Sequence, residues 1–266
     1  MASVPVPSYQ RPYFYFDACS QALTANFTRP DDHHIDALAS SSLCSTGGHS
    51  TARVDKFSDG KFISFAAGYT EISAGYEDDE ASNDTRATAA VEGLNILNVL
   101  TADLVVASTY SKHLTDASEG SVSMEGCKFE NLRILGQPVK MELNCAFFEG
   151  VQTFKQAQEA FLQKGEFWQI AKDPFQTGRE LPPQEDTGAF LCSLIKGGIQ
   201  VDAPGVQTAG HTIVIPNFGT IYLAEMMISH AKRTFSMIRF NLDAAVTASG
   251  SVACGTTNGK QYPPTH

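Results

Sequence analysis

The sequence predicts an all-β, sandwich-like fold with one peripheral amphipathic α-helix. The 266-residue chain is 42% hydrophobic but only 18% charged, and Ser, Thr, Ala and Gly are abundant. This composition suits strands and turns better than long surface helices. Most segments also alternate apolar and polar residues with period two, and Gly and Pro punctuate them. No linker divides the chain, so we predict a single β-rich domain over residues 1–266.

The N-terminal part is predicted to contain strands separated by two polar loops. Period-two alternation marks the strands, and clusters of charged, Gly and Ser residues mark the loops. In chain order, the predicted elements are one or two strands over 13–28, a long polar loop over 29–60 with one short helix near Ile35–Leu38, a strand or hairpin over 61–76, an acidic loop over 77–85, and strands over 87–97 and 102–113.

The stretch "GCKFENLRILGQPVKMELNC", residues 126–145, predicts a β-hairpin between strands 121–134 and 138–149. If Leu135–Pro138 is its turn, Cys127 and Cys145 face each other across the two strands. Directly opposed Cβ atoms lie about 4.5–5.5 Å apart in a non-hydrogen-bonded pair, and a disulfide requires about 3.5–4.5 Å. We therefore predict a disulfide between these two cysteines.

One segment departs from the β pattern. Over residues 151–172, Phe154, Ala157, Phe161, Gly165 and Trp168 recur at steps of three and four, which predicts an amphipathic helix that ends before Pro174. This helix lies in a predicted helical insertion over 151–188 and packs on the sheet. Alternatively, its face with Phe161 and Trp168 binds a partner.

The C-terminal part returns to strand patterns. The predicted elements are a loop over 176–188, a strand over 189–201 that Gly197-Gly198 can bulge, a hairpin over 211–230 with its turn at Pro216–Gly219, and one long strand or two over 234–255.

Six cysteines without a C-x-x-C pair fit disulfides and a secreted protein. The alternative is six buried free thiols, because free cysteine is common in protein cores. Beyond Cys127 and Cys145, the pairings we predict are Cys19 with Cys44 and Cys192 with Cys254.

Two clusters of side chains have the chemistry of metal ligands. The first, which could hold zinc, copper or nickel, is Asp31, Asp32, His33, His34 and His49. The second, which could bind Ca²⁺, is Glu77, Asp78, Asp79 and Glu80. For each cluster the alternative is a solvated loop. The sequence contains no G-x-S-x-G, dinucleotide or P-loop motif, so we predict no catalytic residue and no cofactor other than Ca²⁺.

Charge and hydropathy restrict the partners. The net charge of −10 argues against nucleic-acid binding through a basic surface. No run of about 18 apolar residues is present, so we predict no membrane span, and the start shows no apolar signal-peptide core. Tyr13, Phe14, Tyr15 and Phe16 alternate, so that two rings face each side of a strand. They are candidates for a contact surface, although one side of a sandwich strand is normally core.

Four segments resemble one known family. "GLNILNVLTADLVVASTYSK", "FENLRILGQPV", "TIVIPNFGTIYLAE" and "TFSMIRFNLDAAVTASGSVACG" resemble the strand-and-turn motifs of choice-of-anchor proteins of type P. The resemblance covers roughly residues 85–255. It implies an exported bacterial surface domain, mostly β, with no assigned enzyme activity. The matching residues imply structural roles for the turn residues Gly136, Pro138, Pro216 and Gly219.

Together these observations predict a non-catalytic structural or adhesive protein, located extracellularly or at the cell surface. It would act through association with a protein partner or with itself, and a self-assembling filament subunit is one version. The first alternative is a carbohydrate- or small-ligand-binding module assisted by Ca²⁺. The second is a metal-dependent hydrolase built on His33, His34 and His49.

Overall fold

The computed structural model describes residues 13–175, 178, 188–230, 232–257 and 259–262. Within these residues it confirms the all-β prediction, because the chain forms strands joined by turns, with two short α-helices and one 3-10 helix. The strands are β1 (Tyr13–Phe16), β2 (Cys19–Arg29), β3 (His33–Leu38), β4 (Ser41–Ser42), β5 (Gly48–Ser58), β6 (Ile63–Glu77), β7 (Ser82–Ile96), β8 (Leu100–Leu114), β9 (Ser121–Met124), β10 (Lys128–Glu130), β11 (Arg133–Ile134), β12 (Gln137–Leu143), β13 (Ala189–Ser193), β14 (Ile195–Val201), β15 (Gln207–Ala209), β16 (Thr212–Ile215), β17 (Gly219–Ser229), β18 (Arg233–Asp243), β19 (Thr247–Thr257) and β20 (Gly259–Tyr262).

Two large antiparallel sheets form the sandwich. The first has the order β14-β12-β11-β8-β7-β6-β5, with β9 and β10 also paired to β8. The second has the order β15-β16-β17-β18-β19-β2-β3, with β13 on β17 and β4 on β2. Strands β2 and β19 of the second sheet pack across β6, β7 and β8 of the first. The inner faces of both sheets contribute to one cluster of buried residues, so they share a hydrophobic core.

Small residues fill the centre of the sandwich and explain the alanine-rich composition. Ala22, Ala89 and Ala107 are almost fully buried. Gly68 faces Ala22 so closely that an added Cβ would lie 2.9 Å from the Ala22 methyl group. The two sheets therefore approach each other more closely here than larger side chains would permit.

The predicted polar loop over 29–60 is wrong, because this range contains β3, β4 and β5. The predicted short helix at Ile35–Leu38 is wrong as well, since these residues lie in β3. Strands β3 and β5 form the ends of the two sheets. No residue of β5 is fully buried, and its side chains alternate only between exposed and half-buried positions. A sheet-edge strand of this kind lacks the apolar alternation that marks strands in sequence.

The predicted hairpin exists but is shorter and shifted by one position. Its turn consists of Leu135 and Gly136 alone, both with positive φ, and Ile134 pairs with Gln137. Two consecutive positive-φ residues produce the twist that a two-residue hairpin needs. Strands β9 and β10 pair with β8 instead of β12, and the predicted strand over 138–149 gives way to a 3-10 helix at Cys145–Gly150.

The single predicted helix over 151–172 is two helices, α1 (Phe154–Leu162) and α2 (Glu166–Ala171). Thr153 caps α1 by accepting a hydrogen bond from the Gln156 amide. The helix breaks at Lys164, which has a positive φ, and at Gly165, which has extended backbone and is the N-cap of α2. Packing of this segment on the sheet is observed, since rings of both helices contact Phe190 of β13.

The C-terminal predictions hold with smaller adjustments. The hairpin over 211–230 is β16 and β17, and residues 234–255 are covered by two strands, β18 and β19. The strand predicted over 189–201 is divided at Leu194 into β13 and β14, and Gly197 and Gly198 in β14 have positive φ. Apart from residues 178 and 188, the predicted loop over 176–188 lies outside the described residues. In the described part of the chain, neither helix is long and apolar enough for a bilayer span.

Candidate functional site: a tyrosine ribbon and a histidine-lined cleft

The tyrosine ribbon is the two-stranded ladder of β1 and β20. In the β2–β19 ladder, Cys19 pairs with Thr256. Three residues further along both strands, Phe16 pairs with Gly259, so the ribbon continues the register of that ladder. Its two strands form a sheet of their own, beyond the end of the second sheet. The aromatic strand predicted at residues 13–16 therefore belongs to a two-stranded extension of the sandwich.

The predicted alternation of the four aromatic residues is present in the ribbon. The Phe14 ring packs inward, 4.9 Å from the Phe16 ring and 5.0 Å from the His113 ring. The Gln261 amide group donates to the Thr115 carbonyl at 3.1 Å and ties the ribbon to the body. The outer face carries Tyr13, Tyr15 and Tyr262, whose exposed fractions are 64%, 51% and 63%.

The three tyrosines lie on one face of the ribbon. Tyr13 and Tyr262 are directly opposite in the ladder, so their side chains lie on the same face. Tyr15 follows two residues later on that face, about 7 Å along the strand. Tyrosine offers a large rigid apolar area together with a hydroxyl, which makes it frequent in contact surfaces.

A second feature is a cluster of charged groups on the second sheet. The Glu225 carboxylate accepts from Nε of Arg239 at 2.6 Å and from Nη2 of Arg239 at 2.8 Å. Nε2 of His211 lies 3.1 Å from Oε1 of Glu225. The guanidinium of Arg239 stacks on the Tyr222 ring at 3.6 Å. His211 and Glu225 are both buried, so solvent has little access to the Glu225 carboxylate.

The electrostatics of this cluster keep Glu225 ionised. Burial alone would raise the pKa of Glu225, but hydrogen bonds from Arg239 and His211 outweigh it, and the pKa is lowered. For Arg239, burial works against the charge, and the Glu225 carboxylate more than compensates, so its pKa is raised. The two charges therefore neutralise each other.

His211 also lines a cavity of about 530 Å³, which we call the His211 cleft. It lies between the end of α2, the corner between β13 and β14, and strand β15. The lining residues are Gln169, Ile170, Asp173, Pro174, Ser193, Ile195, Gly197, Gly198, Ile199, Thr208, Ala209, Gly210 and His211.

The predicted histidine cluster is not assembled in the structure. His33 stacks on the Phe27 ring at 4.4 Å, with Asp59 3.9 Å away. His34 is exposed beside Asp36, and His49 pairs with Glu71 at 3.1 Å. His33 and His34 are on β3, and His49 is on β5 of the other sheet. Within the described ranges, no group of three or more His, Cys, Asp or Glu side chains is placed to hold a metal ion.

The acidic residues predicted to bind Ca²⁺ lie around the β6–β7 turn. Glu80 forms an ion pair with Lys112. Nearby, the Asp84 carboxylate accepts from Ser82 Oγ at 2.6 Å and from the Tyr110 hydroxyl, and burial together with Asp84 raises the pKa of Tyr110. Glu77 and Asp84 line a second cavity of about 490 Å³. Glu80 and Asp84 thus have protein partners, and the Ca²⁺ assignment stays a prediction.

In the structure, no two of the six cysteines are joined by a disulfide. The predicted Cys192–Cys254 pairing is wrong, because β17 and β18 lie between β13 and β19, a separation of about 14 Å. In the β2–β4 ladder, Cys19 lies opposite Ser42, so Cys44 is two residues beyond the position directly opposite Cys19. Cys127 and Cys145 do meet, since their thiols hydrogen-bond to each other, and a disulfide between them stays a prediction.

The contact between Cys127 and Cys145 makes the two thiols unequal. Sγ of Cys127 accepts from the Ser108 amide and donates to the Ser108 carbonyl, both at 3.3 Å. The hydrogen bond with Cys145 and burial raise the pKa of Cys127. When Cys145 is ionised, the single S–H proton of Cys127 is directed to the Cys145 thiolate in place of the Ser108 carbonyl, and this hydrogen bond lowers the pKa of Cys145 to about 7.

We expect iodoacetamide at pH 7 to alkylate Cys145 faster than Cys127 in the native protein, because only the thiolate reacts and burial protects Cys127. Peptide mass spectrometry after short labelling measures both sites. Equal rates would contradict the assignment. If both sites react only after reduction, the two cysteines form the predicted disulfide in solution.

The helical candidates for partner binding are only partly available. The Phe161 ring packs 5.3 Å from the Phe190 ring, within the protein. Trp168 is half-buried, and the Lys172 ammonium lies 3.7 Å from its ring centre. The exposed apolar side chain of α1 is Leu162 instead.

Sequence reasoning missed His211, Glu225 and Arg239. A usable signal was present for two of them, because Glu225 and Arg239 are single charges within the apolar stretches "IYLAEMMI" and "FSMIRFNL". A lone charge in a strand that is otherwise core needs a buried partner. The signal does not identify that partner, since His211 lies between β15 and β16.

Comparison with known proteins gives one family. A protein-family model described as a domain of unknown function, DUF8256, matches residues 14–181 and 155–229, which together cover most of the chain. No curated protein and no solved structure matches the chain significantly.

Proposed function

The chain belongs to the DUF8256 family, and we propose that it is a non-catalytic extracellular protein that works by self-association through the tyrosine ribbon. The observation that carries this proposal is the outer face of the ribbon, with Tyr13, Tyr15 and Tyr262 all more than half exposed. Three large exposed rings on one face of a two-stranded ribbon are costly to leave in water and are typical of interaction surfaces.

The backbone of the ribbon supports a second copy of the same chain as the partner. Among the described strands, β1 and β20 pair only with each other, so each has one edge without a partner strand. The outer edge of such a ribbon can pair with another strand. Two ribbons related by a twofold axis would offer each other the same surface, which is the commonest arrangement in homo-oligomers. A filament requires a second, different contact in addition.

An extracellular setting is supported by the resemblance to choice-of-anchor proteins of type P. The His211 cluster fits a binding role better than a catalytic one, because Glu225 is already neutralised by Arg239.

The test replaces Tyr13, Tyr15 and Tyr262 by serine together and measures mass by size-exclusion chromatography with light scattering over a range of concentrations. We expect dimers or larger species for the native chain and monomers for the variant. The reason is that the variant loses most of the apolar area of the contact and retains its fold, since these side chains are exposed.

The matched control is Tyr76→Ser, which removes an exposed tyrosine on β6, outside the ribbon. It should assemble like the native chain. A native chain that stays monomeric at every concentration contradicts the proposal, and so does a triple variant that assembles as the native chain does.

A further inference from the structure

We propose that the His211 cleft binds a neutral polyhydroxylated ligand, namely a sugar residue, either free or at the end of a glycan. This site is separate from the tyrosine ribbon, so the inference does not depend on self-association. The volume of about 530 Å³ is within the range of small-molecule sites, about 300–1,000 Å³.

The His211 ring has one nitrogen available to a ligand in the cleft. Its side chain is only 3% exposed, and Nε2 is committed to Glu225. Nδ1 makes no hydrogen bond to any described residue and is not among the described side-chain atoms that are buried without a partner. Since His211 lines the cleft, Nδ1 is the polar atom that it can present there. With the Nε2 proton donated to Glu225, Nδ1 accepts a hydrogen bond from a ligand hydroxyl.

The charge of the wall favours a neutral ligand. No lysine or arginine is among the described residues that line the cleft, and one oxygen of its single carboxylate, Asp173, accepts from the Gly178 amide at 2.7 Å. An anion would therefore be repelled by Asp173, and a cation would compete with the Gly178 amide for it. A neutral ligand rich in hydroxyl groups loses less solvation on entry than an ion does.

The wall of the cleft combines apolar and polar surfaces. Ile170, Ile195 and Ile199 supply apolar wall, while Gln169 and Thr208 supply amide and hydroxyl groups. Gly197, Gly198 and Gly210 lack side chains, which leaves their backbone groups accessible to a ligand. A sugar ring has apolar C–H faces and a rim of hydroxyls, and it matches both kinds of surface.

The cleft is arranged for binding and not for hydrolysis. Ser193 lines the same cavity as His211, and a serine and a histidine in one cavity are the nucleophile and the base that a serine hydrolase uses. However, its Oγ donates to the Leu223 carbonyl at 2.9 Å and accepts from the Ile195 amide at 3.1 Å. The hydroxyl proton is thus committed to the backbone, and His211 does not activate this serine.

The experiment titrates the full chain with glucose, galactose, mannose and N-acetylglucosamine into the millimolar range and follows tryptophan fluorescence. Trp168, the only tryptophan, adjoins Gln169 and Ile170 of the cleft wall. A printed glycan array distinguishes a free sugar from the terminal sugar of a glycan. A site for terminal sugars gives a signal on the array even where the same free sugar binds weakly. We expect at least one sugar to produce a saturable change.

Two variants test the location. His211→Gln should weaken binding roughly tenfold, and Gln169→Ala, at an exposed helix position, about fivefold, as expected for loss of one hydrogen bond. Gln163→Ala is the matched control, because Gln163 is exposed and lies outside the cleft; it should bind like the native chain.

Three results would overturn the proposal. The first is that no sugar changes the fluorescence and the array is blank. The second is that Gln169→Ala, which leaves the fold intact by its melting temperature, binds as tightly as the native chain. The third is that lysine or arginine binds and the sugars do not, which would assign the cleft to a cationic group.

Discussion

Replacing Arg239 by methionine should lower the free energy of unfolding by about 3 kcal/mol, the lower end of the range for breaking a buried ion pair. Among the described residues, the variant leaves the Glu225 carboxylate with His211 as its only side-chain partner, in a position where Glu225 is 7% exposed. The lower end applies because a third of the Arg239 side chain remains exposed, so water can reach part of the site. Urea denaturation followed by circular dichroism measures the change.

A double variant, Arg239→Met with Glu225→Met, is the informative control. It removes both charges together and should recover most of the lost stability, because a hydrophobic replacement of an ion pair is often neutral. If the double variant is as unstable as Arg239→Met alone, stacking of the Arg239 guanidinium on Tyr222 matters more than the ion pair with Glu225.

The pH dependence follows from the lowered pKa of Glu225. A carboxylate with a folded-state pKa below its unfolded value of about 4.3 adds stability at pH values above that unfolded value. This contribution is lost as the pH falls through the folded-state pKa. The stability difference between the native chain and Glu225→Gln should therefore be largest near neutral pH and shrink in acid. A difference that is constant from neutral to acid would show that Glu225 does not titrate with folding.

The sequence was sufficient for the strands whose two faces differ in burial. Strands β7 and β8 alternate buried side chains with half-buried or exposed ones over much of their length, and alternation predicts a strand with one inner face. It failed for β3 and β5, because a strand at the end of a sheet has half-buried neighbours and polar residues on both faces. The helix was placed correctly, but its break at Gly165 depends on backbone conformation that the apolar spacing does not encode.

The candidate sites depend on pairing between distant segments. The alternation of Tyr13 and Phe14 predicted two faces, yet the partner strand Gly259–Tyr262 is more than 240 residues away in sequence, and nothing in residues 13–16 specifies it. Likewise, Glu225 and Arg239 meet because β17 and β18 pair in one register, with Tyr222 opposite Arg239. A shift of that register would move both charges to other neighbours. Single-sequence patterns give the faces of strands but not their partners.

Gly219→Ala should be among the most damaging single substitutions, with a loss of about 3 kcal/mol or more, because it combines backbone strain with a collision. Gly219 has φ +136°, which L-residues rarely adopt. An added Cβ would overlap the Asn241 carbonyl oxygen and would lie 2.8 Å from the Cα of Leu242, so the obstruction is backbone of the paired strand β18. Relief would require separating β17 from β18, the central ladder of the second sheet.

Gly48→Ala isolates the strain from the collision. Gly48 has φ +120°, close to that of Gly219, but an added Cβ there meets nothing within 4 Å. It should cost about 1–2 kcal/mol from backbone conformation alone. Thermal and urea denaturation of the two variants under the same conditions therefore measures the collision as the difference between them. Equal losses would mean that β18 yields to the methyl group, and that the close approach at Gly219 contributes little to the choice of glycine at this turn.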